Sequence, residues 1–430
     1  MTLPVTKVTR VSESGTVARV AIVVQRCHES VVGGAESLAW QYAQYLSESG
    51  VDVEIVTTCA ANAQSWANVF PAGATERDGV RLRRFPVRRE RGRYWNQLHE
   101  LLAHHHRSGR AIPWTPALED EWLRAQGPDS PAMLEYIREQ RSAFDRWIFV
   151  TYLFAPTVFG AEIVGRERSV LVPALHDEPP AYLRRFRRMA HGVSRILWNT
   201  HAEAELAGRL WGAGLPGRLV SMGVELQGGT PPAAPSLPAE PVVPTGRTPK
   251  SFYILYCGRI DPGKGCDLLF RYYRLFQKQH PGPLKLLLTG NLQMKLPSPA
   301  PGIKHLGFVS DAEKERLMAR AHAVVMPSPN ESLSLITLEA MLLGTPVLAL
   351  GSNPVLREHI DRSGGGLCFT GYESFRVALG RLLGSPGLRE SLGAAGQAYV
   401  QKEFDPAAVR GRLLNALALD APNDLDGRAS

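Results

Sequence analysis

Apolar and polar segments alternate most clearly around residues 323–350. The segment begins with an apolar run, Ala323–Met326, which is long enough for one buried strand. Turn residues follow this run, and leucines then recur at helical spacing until Gly344. A second apolar run, Val347–Leu350, comes two residues later. This order of strand, loop, helix and strand predicts one βαβ unit of a parallel sheet.

The same alternation extends over most of the chain. Short apolar runs alternate with segments of helical spacing, which predicts an α/β protein with parallel sheets. Residues 76–146 differ, because their mixed pattern indicates an insertion of strands and helices. The other predicted strands are Val20–Val24, Val51–Thr57, Trp147–Tyr152, Ser169–Leu175, Ile196–Asn199, Arg218–Val224, Ser251–Cys257, Leu284–Thr289 and Ile303–Val309.

A Pro- and Gly-rich segment, residues 226–250, marks the clearest domain boundary. It separates an N-terminal domain, residues 1–225, from a second domain that starts at residue 251. A chain of 430 residues is long enough for two or three domains with separate cores. We predict that residues 1–18 and the tail after Asp420 are disordered.

Glu331 and Glu339 are the candidate binding residues of the 323–350 segment. We expect Glu331 where the loop enters the helix, and Glu339 two turns deeper on nearly the same face. The backbone N–H groups of Ser334, Leu335 and Ile336 would lie between them, at a helix N-terminus that attracts phosphate. This arrangement suits a diphosphate flanked by hydroxyls, as in a nucleotide sugar. The alternative is that both carboxylates belong to a solvated helix face.

Two cations flank a Gly-rich loop after the predicted strand Ser251–Cys257. Arg259 and Lys264 are spaced so that both could reach one diphosphate. The spacing does not fit a phosphate-binding P-loop. The alternative is an ordinary surface loop.

Two more candidates follow predicted strands of the first domain. Gly33 and Gly34 lie at a strand-to-helix turn, where glycine permits either close approach of a ligand or simply a tight turn. His176 follows Ser169–Leu175, and polar groups at the carboxyl end of a parallel strand face the ligand. The alternative for His176 is a surface or capping histidine.

The 323–350 segment resembles the C-terminal signature of the retaining family-4 glycosyltransferases. That signature has Pro-Ser, two residues and Glu, then an apolar run to a Glu-Ala pair, and ends in Gly-x-Pro-Val. The family often has glycines after the first Glu and before the helix, where this chain has Ser332, Leu333 and Ser334. The matching residues are Pro327-Ser328-Pro329-Asn330-Glu331, Leu335-Ile336-Thr337-Leu338-Glu339-Ala340-Met341 and Gly344-Thr345-Pro346-Val347.

Other parts of the chain resemble the same family. The Gly-Arg and Lys-Gly pairs around Arg259 and Lys264, the Gly-Gly pair and the histidine after a strand all have counterparts there. The resemblance implies the GT-B architecture, in which two Rossmann-like domains face each other across a cleft. It implies that residues 251–403 bind the nucleotide sugar, and that residues 404–430 form a helix and tail packing back toward the N-terminal domain.

The resemblance also implies roles for the candidate residues. Glu339 would bind the ribose, Glu331 the hexose hydroxyls near the reacting carbon, and His176 the sugar or acceptor. Arg259 and Lys264 would neutralise the leaving diphosphate. The remaining implied contacts are Gly33, Gly34, Gly258, Ser334, Leu335 and Ile336 with the donor, and Asp177 and Glu178 with the acceptor or its loop.

The implied reaction is transfer of a hexose from a nucleoside diphosphate sugar to a hydroxyl of a glycan or lipid-linked glycan, with retention and without a metal or other cofactor. A nucleotide-sugar epimerase or hydrolase on the same fold is one alternative. A basic nucleic-acid-binding protein is another, although the sequence contains no recognisable nucleic-acid module. A non-enzymatic nucleotide-binding relic is a third, against which the intact candidate residues argue.

Composition adds a basic surface to this picture. The formal net charge is +8, and arginines cluster in residues 81–93, directly before Tyr94 and Trp95, and again in residues 184–188. Such clusters are usually solvated, but a basic patch edged by aromatic residues could contact anionic lipid or a charged glycan. This patch leaves peripheral contact at the inner membrane face as an open alternative.

The five scattered cysteines indicate a reducing compartment, and we therefore expect a cytoplasmic protein.

Two motifs suggest metal binding, and we discount both. His104, His105 and His106 are consecutive, and consecutive residues on a helix do not share a face. Asp424-Leu425-Asp426 has the spacing of metal-dependent transferases, but it lies in a polar tail without a preceding strand.

Overall fold

The computed structural model describes residues 17–30, 33–109, 112–226, 252–299 and 301–419. The chain divides into two compact units: unit 1 contains Met1–Met222 and Val409–Ser430, and unit 2 contains Gly223–Ala408. Nearly all of the predicted linker 226–250, most of the lead-in 1–18, and the Asp424–Asp426 motif lie outside the described residues.

Unit 1 is built on a largely parallel sheet. In its described part, eight strands pair in the order β3-β4-β2-β1-β5-β6-β7-β8, and β3 with β4 is the one antiparallel pair. An Asp78-Gly79 turn joins these two strands with positive φ at both residues, as a tight hairpin requires. The strands are β1 Arg19–Val23, β2 Asp52–Thr58, β3 Gly73–Arg77, β4 Val80–Phe85, β5 Arg146–Val150, β6 Ser169–Val172, β7 Arg195–Trp198 and β8 Gly217–Leu219.

Three helices of unit 1 start at side-chain caps. Thr115, Ser130 and Thr200 each accept a backbone N–H three residues on, which satisfies one of the free donors of a helix start. The mixed 76–146 segment contains β4 and three helices that precede β5. The helices are α1 Gly34–Glu48, α2 Arg93–Arg107, α3 Pro116–Gln126, α4 Pro131–Gln140, α5 Ala155–Val164, α6 Arg184–His191 and α7 His201–Trp211.

Unit 2 has a parallel sheet with the strand order of a dinucleotide-binding fold. In its described part, six strands pair in the order β11-β10-β9-β12-β13-β14. The order reverses between β9 and β12, which is the position where ligands bind in open α/β sheets. The strands are β9 Tyr253–Cys257, β10 Lys285–Thr289, β11 Ile303–His305, β12 Val324–Met326, β13 Val347–Leu350 and β14 Gly366–Phe369.

Helices connect these strands as the apolar pattern predicts. The predicted strand–loop–helix–strand of residues 323–350 is confirmed as β12, α10 and β13. The helices are α8 Cys266–Gln279, α9 Asp311–Ala319, α10 Leu335–Leu342, α11 Pro354–Ser363, α12 Tyr372–Gly384 and α13 Pro386–Glu403.

The last helix, α14 Pro406–Leu417, belongs to unit 1 from Val409 onward. Arg412 Nε donates to the Val220 carbonyl at 3.2 Å, and Arg146 Nε donates to the Leu417 carbonyl at 3.2 Å. These bonds attach α14 to β5 and to the residue that follows β8 in unit 1.

Three details of the predicted elements are wrong. The predicted strands Arg218–Val224 and Ile303–Val309 pair over only three residues each, as β8 and β11, because the chain turns soon afterwards at Ser221 and Gly307, which have φ of 67° and 75°. The sequence also predicts Asp311 as the cap of α9, but Ser310 is the cap and accepts the Glu313 N–H at 3.2 Å. In the described part of the chain, no helix is both long and apolar enough to cross a membrane.

Candidate active site

The loops after β9 and β12 meet at the point where the strand order of unit 2 reverses. Gly265 has φ of 73°, and a Cβ there would lie 2.2 Å from the carbonyl oxygen of Pro327. Any other residue would push the two loops apart, so glycine is required for this contact. The close approach brings the candidate cations of one loop to the candidate carboxylate of the other.

Lys264 and Glu331 form an ion pair between these loops. Lys264 Nζ lies 2.7 Å from Glu331 Oε1, although the two residues are 67 positions apart in the chain. Asp261 shapes the first loop: its carboxylate accepts the Lys264 backbone N–H at 3.0 Å and binds the guanidinium of Arg259. Arg259 and Lys264 therefore lie in one loop, as predicted. Asp261 contacts both residues, and the sequence did not reveal this partner.

The prediction for the position of Glu331 is wrong in one respect. Helix α10 begins at Leu335, so Glu331 lies in the preceding loop and shares no helix face with Glu339. The reason is Ser334, whose φ of 63° turns the chain sharply before the helix. This is the position where the resembled family often has glycine, and the Ser334 and Thr337 hydroxyls are 2.9 Å apart here.

The N-terminus of α10 presents backbone donors, as predicted. The N–H groups of Thr337 and Leu338 both donate to the Ser334 carbonyl, at 3.0 Å and 3.3 Å. The N–H groups of Ser334, Leu335 and Ile336 precede these first helical bonds and have no intrahelical acceptor. Together with the helix dipole they favour an anion at this end.

Glu339 has a cation partner that the sequence did not reveal. Lys314 Nζ of α9 lies 3.2 Å from Glu339 Oε1 and 3.0 Å from Oε2. The second contact lacks hydrogen-bond geometry, and this enclosed Oε2 accepts no hydrogen bond from the described residues. Burial raises the pKa of Glu339, while Lys314 opposes the shift. Burial would lower the pKa of Lys314, but Glu339 and Asp311 raise it, so the lysine stays charged.

Two buried residues of α11 and its cap hold the loop that carries Glu331. Asn353 Nδ2 donates to the Ser328 carbonyl at 3.1 Å, and His359 Nε2 lies 2.7 Å from the Leu333 carbonyl. Burial lowers the pKa of His359, so the ring is neutral and can donate through Nε2. Both contacts join residues about 25 positions apart, which no local sequence pattern could show.

The predicted glycines of unit 1 lie beside a buried carboxylate. Glu36 Oε1 accepts from Gln25 Nε2 at 3.0 Å and from Arg26 Nε at 2.6 Å. A Cβ on Gly33 would lie 2.2 Å from Glu36 Oε2, so glycine makes room for this carboxylate. Gly34 is the first residue of α1, with open space where a Cβ would be.

The His176 loop follows β6 in unit 1, as predicted. Tyr152 OH donates to Glu178 Oε1 at 2.7 Å, and Tyr182 OH donates to Asp177 at 2.8 Å. His176 Nδ1 lies 3.8 Å from Glu178 Oε1. Burial works against the charge of Glu178, but His176 and Tyr152 outweigh it and lower the pKa of Glu178. Both carboxylates thus fix the shape of this loop.

Glu203 lies beneath the His176 loop. This residue is 1% exposed, and its carboxylate accepts the backbone N–H groups of Leu175 and Asn199, each at 2.7 Å. Burial raises the pKa of Glu203 to about 7, although the backbone donors oppose this. Glu203 joins the ends of β6 and β7 and so positions the residue directly before His176.

Most of the clustered arginines of unit 1 have structural partners. Arg81 and Arg83 bind Glu54, Arg88 binds Asp129, and both carboxylates are buried. In the second cluster, Arg184 binds Glu119, while Arg185 binds Asp120 and Glu162. Within the described residues, no group of three or more His, Cys, Asp or Glu side chains could hold a metal ion.

Comparison with known proteins is consistent with this geometry. Residues 243–399 match the model of the family "Glycosyl transferases group 1". D-inositol 3-phosphate glycosyltransferase of Actinosynnema mirum is 26% identical over 84% of this chain and 86% of its own length. The enzyme of that name from Jonesia denitrificans is 28% identical over 60% of this chain and 64% of its own length.

A solved structure shows the same fold. HepE of Anabaena in complex with UDP-glucose has a TM-score of 0.62 and 17% identity, covering 93% of this chain and 99% of that one. Two parallel-sheet α/β units with such a neighbour define the GT-B fold. The group 1 match is confined to residues 243–399, and together these similarities indicate that the protein is a glycosyltransferase.

Proposed function

We propose that the protein transfers a hexose from a nucleoside diphosphate sugar to a hydroxyl of a glycan or lipid-linked glycan, with retention of configuration. The main support is the arrangement of unit 2. The Lys264–Glu331 pair, the start of α10 and Glu339 lie near the point where the strand order reverses. HepE, which has the same fold, was solved in complex with UDP-glucose, and that complex supports a donor of this class.

Glu339 would bind the ribose of the donor. Its Oε2 accepts no hydrogen bond from the described residues, although the Lys314 ammonium lies 3.0 Å away. A buried acceptor without a donor is costly, and a ribose hydroxyl would satisfy it. Glu339 is therefore our candidate for the ribose contact.

The diphosphate would lie between the helix N-terminus and the two cations. The N–H groups of Ser334, Leu335 and Ile336 offer donors, and Arg259 and Lys264 offer positive charge. As the bond to the sugar breaks, negative charge grows on the leaving phosphate, and donors already in place stabilise it. These cations supply the charge that a metal supplies in other transferases, and they support a metal-independent reaction.

Glu331 would hold hydroxyls of the hexose, and Lys264 positions it through the 2.7 Å ion pair. We do not assign Glu331 as a nucleophile, because that mechanism needs a second carboxylate as the acid. The sequence offers no evident partner for this role. On the same face of the sugar, the leaving phosphate can itself take the proton of the acceptor hydroxyl, which gives retention.

The acceptor would contact unit 1 through the His176 loop. Asp177 and Glu178 are already engaged by Tyr182 and Tyr152, so they hold the loop while the His176 ring remains one-third exposed. All five cysteines are free thiols, which supports a reducing, cytoplasmic setting for the reaction.

Product analysis tests this proposal. The protein is incubated with UDP-, GDP-, ADP- and TDP-hexoses, with and without a panel of glycan acceptors and with EDTA in a parallel set. We expect nucleotide release that requires an acceptor, persists in EDTA, and yields a product with the anomeric configuration of the donor. Rapid epimerisation or hydrolysis without acceptor would identify an epimerase or hydrolase instead, and an inverted product would contradict retention.

A further inference from the structure

A groove on the exposed side of helix α8 in unit 2 has no role in the proposed reaction. This α8 groove has a volume of about 600 Å³ and lies between the helix and the loop after β10. The opposite side of α8 packs into unit 2, where Leu269, Tyr273 and Phe276 are buried. The residues that line the groove include Arg271, Arg274, Leu275, Lys278, Met294 and Lys295.

Four cations from two elements meet at the α8 groove. Arg271, Arg274 and Lys278 follow one another at spacings of three and four residues, which places them on one face of α8. Lys295 comes from the loop after β10, which forms the other wall. All four residues are exposed. Their long side chains can therefore present positive charge beyond the floor of the groove.

None of these four cations is neutralised by a carboxylate of the described residues. Asp267 lies one turn before Arg271 and also lines the groove, but it forms no ion pair with any of the four. Arg271 lies 5.3 Å from the ring of its neighbour Tyr272, a contact that leaves its charge in place. On other helices of unit 2, Arg316 and Arg376 each pair with a glutamate of the same helix. The α8 groove therefore has an excess of positive charge.

Apolar side chains are accessible beside these cations. Leu275 lines the groove and is 39% exposed. In the opposite wall, Met294 is half-buried, and Leu292, two residues before it, is 38% exposed. Basic residues interspersed with accessible apolar residues on one surface are typical of segments that lie at a membrane interface.

This combination suits an anionic lipid bilayer better than two other classes of anion. A single small anion would be held only by exposed side chains, and such pairs are weak. A single-stranded nucleic acid is usually bound by stacking on aromatic rings, but Phe270, the one aromatic residue among the described lining residues, is 3% exposed. A bilayer presents many phosphates at once and also accepts apolar side chains between its headgroups.

We propose that the α8 groove is the surface through which the protein contacts an anionic lipid bilayer, with its four cations against headgroup phosphates and Leu275 between them. The arginine clusters of unit 1 suit this contact less, because most of these arginines already bind carboxylates of the fold. The inference goes beyond the proposed function and does not depend on the identity of the donor. A lipid-linked acceptor would be presented at the same bilayer surface.

Sedimentation of the full chain with lipid vesicles tests the inference. Vesicles of phosphatidylcholine alone are compared with vesicles that contain about 30% phosphatidylglycerol. Each basic residue near an anionic surface contributes about 1 kcal/mol, or about fivefold in binding, so four residues give a dissociation constant of about 1 mM lipid. We expect this affinity for the anionic vesicles at about 0.1 M salt, at least about tenfold weaker binding to the neutral vesicles, and loss of binding at about 1 M salt.

The double variant Arg271→Gln with Arg274→Gln tests the cations of the groove. It should weaken binding to anionic vesicles about 25-fold, at about fivefold for each residue. The matched control is Arg316→Gln with Arg357→Gln, which removes the same charge from positions that are 60% and 51% exposed on other helices of unit 2. The control should keep nearly full binding, which separates a local surface from a general effect of net charge.

The variant Leu275→Ser separates a bilayer from a soluble polyanion. It should weaken binding to anionic vesicles about threefold to fivefold, because the exposed part of the leucine loses its apolar contact. It should leave unchanged any binding to polyglutamate or single-stranded RNA, which offer no apolar layer. Unchanged binding of this variant to vesicles would contradict the bilayer assignment. All these variants change exposed side chains outside the candidate active site, so urea unfolding and nucleotide binding should remain those of the wild type.

Three further results would overturn the inference. They are no binding to anionic vesicles at about 10 mM lipid, which is tenfold above the expected scale, equal losses in the double variant and its control, and tighter binding of polyglutamate or RNA than of vesicles. Nucleotide binding, measured on the same preparations, separates this inference from the proposed function. If nucleotide binds and vesicles do not, the assignment of the α8 groove fails alone. If vesicles bind and no nucleotide does, the proposed function fails and the bilayer surface remains.

Discussion

Unit 1 and unit 2 use cations paired with carboxylates in different ways. In unit 1, Arg81 and Arg83 bind Glu54, whose side chain is only 1% exposed, although the two arginines are 41% and 30% exposed. In unit 2, Lys264 binds Glu331, which is 13% exposed, and Lys314 binds Glu339, which is 19% exposed. Unit 1 has many more clustered arginines than unit 2, and its ion pairs serve mainly to stabilise the fold.

This difference indicates that the exposure of the carboxylate, more than the number of nearby cations, distinguishes a structural ion pair from a pair that can bind a ligand. A cation on a buried carboxylate compensates its desolvation, and removing either partner leaves a costly unpaired group. A pair at the edge of a loop where strand order reverses can still bind a ligand. We therefore expect substitutions in unit 1 to reduce stability, and substitutions in the unit 2 pairs to reduce binding or turnover.

The largest expected effect is on turnover, for Lys264→Met. Removing a donor that stabilises charge in the transition state should lower kcat about 10²–10³-fold, or about 2.7–4 kcal/mol. The free energy of unfolding should change by less than about 1 kcal/mol, since partly exposed pairs contribute little. Steady-state kinetics and urea unfolding measure both, with exposed Lys278→Met as control. A stable variant with nearly full activity would remove Lys264 from the site.

The next effect is on stability, for Glu54→Gln. This change removes the negative charge that Arg81 and Arg83 share and replaces one of the two acceptor oxygens by an NH2 donor, so we expect a loss of about 3 kcal/mol in the free energy of unfolding. Urea unfolding measures it, with the exposed Glu76→Gln on β3 as the matched control. Equal stability of the two variants would show that the arginine cluster is not structural.

Glu203→Gln should change the pH dependence of stability. The pKa of Glu203 is about 7 in the folded protein against an ordinary value of 4.5. The folded state therefore holds the proton more tightly, and the wild type loses stability as pH rises from 4.5 to about 7, by roughly 2–3 kcal/mol for this group. Glutamine does not titrate, so the variant should gain relative to the wild type over this range.

Urea unfolding of both proteins at several pH values between about 5 and 8 measures that difference. The same variant also replaces one acceptor of a backbone N–H by a donor, which should cost about 1–3 kcal/mol at every pH. A pH-independent difference between the two proteins would show that Glu203 is charged throughout.

Local patterns predict most of the elements of unit 2, although not the length of β11 or the cap of α9. Apolar runs and turn residues determine β12, α10 and β13, and a parallel sheet brings the ends of its strands to one edge. Arg259, Lys264, Glu331 and Glu339 follow from that edge. A left-handed serine gives no local signal, and the glycine that the resembled family often has before this helix is the one hint of the conformation of Ser334. The predicted position of Glu331 is wrong because this turn was not included.

Contacts between distant elements could not be predicted. Lys314, Asn353, His359 and Glu203 each act on a loop or carboxylate of another element, and nothing in their own neighbourhoods distinguishes them from ordinary helix residues. The same holds for the arginine cluster, because Glu54 and Asp129, which neutralise it, are about 30 and 40 residues away.

The central claim is that unit 2 binds a nucleoside diphosphate through Glu339. The most direct test is thermal unfolding with UDP, GDP, ADP and TDP for the wild type, Glu339→Ala and the exposed control Glu373→Ala. A ligand of the folded state raises Tm. We predict that one nucleotide raises Tm of the wild type and the control, and that Glu339→Ala loses about 1.5–3 kcal/mol of binding and with it most of the shift. If no nucleotide raises the wild-type Tm, or if Glu339→Ala keeps the full shift, the assignment of this site is wrong.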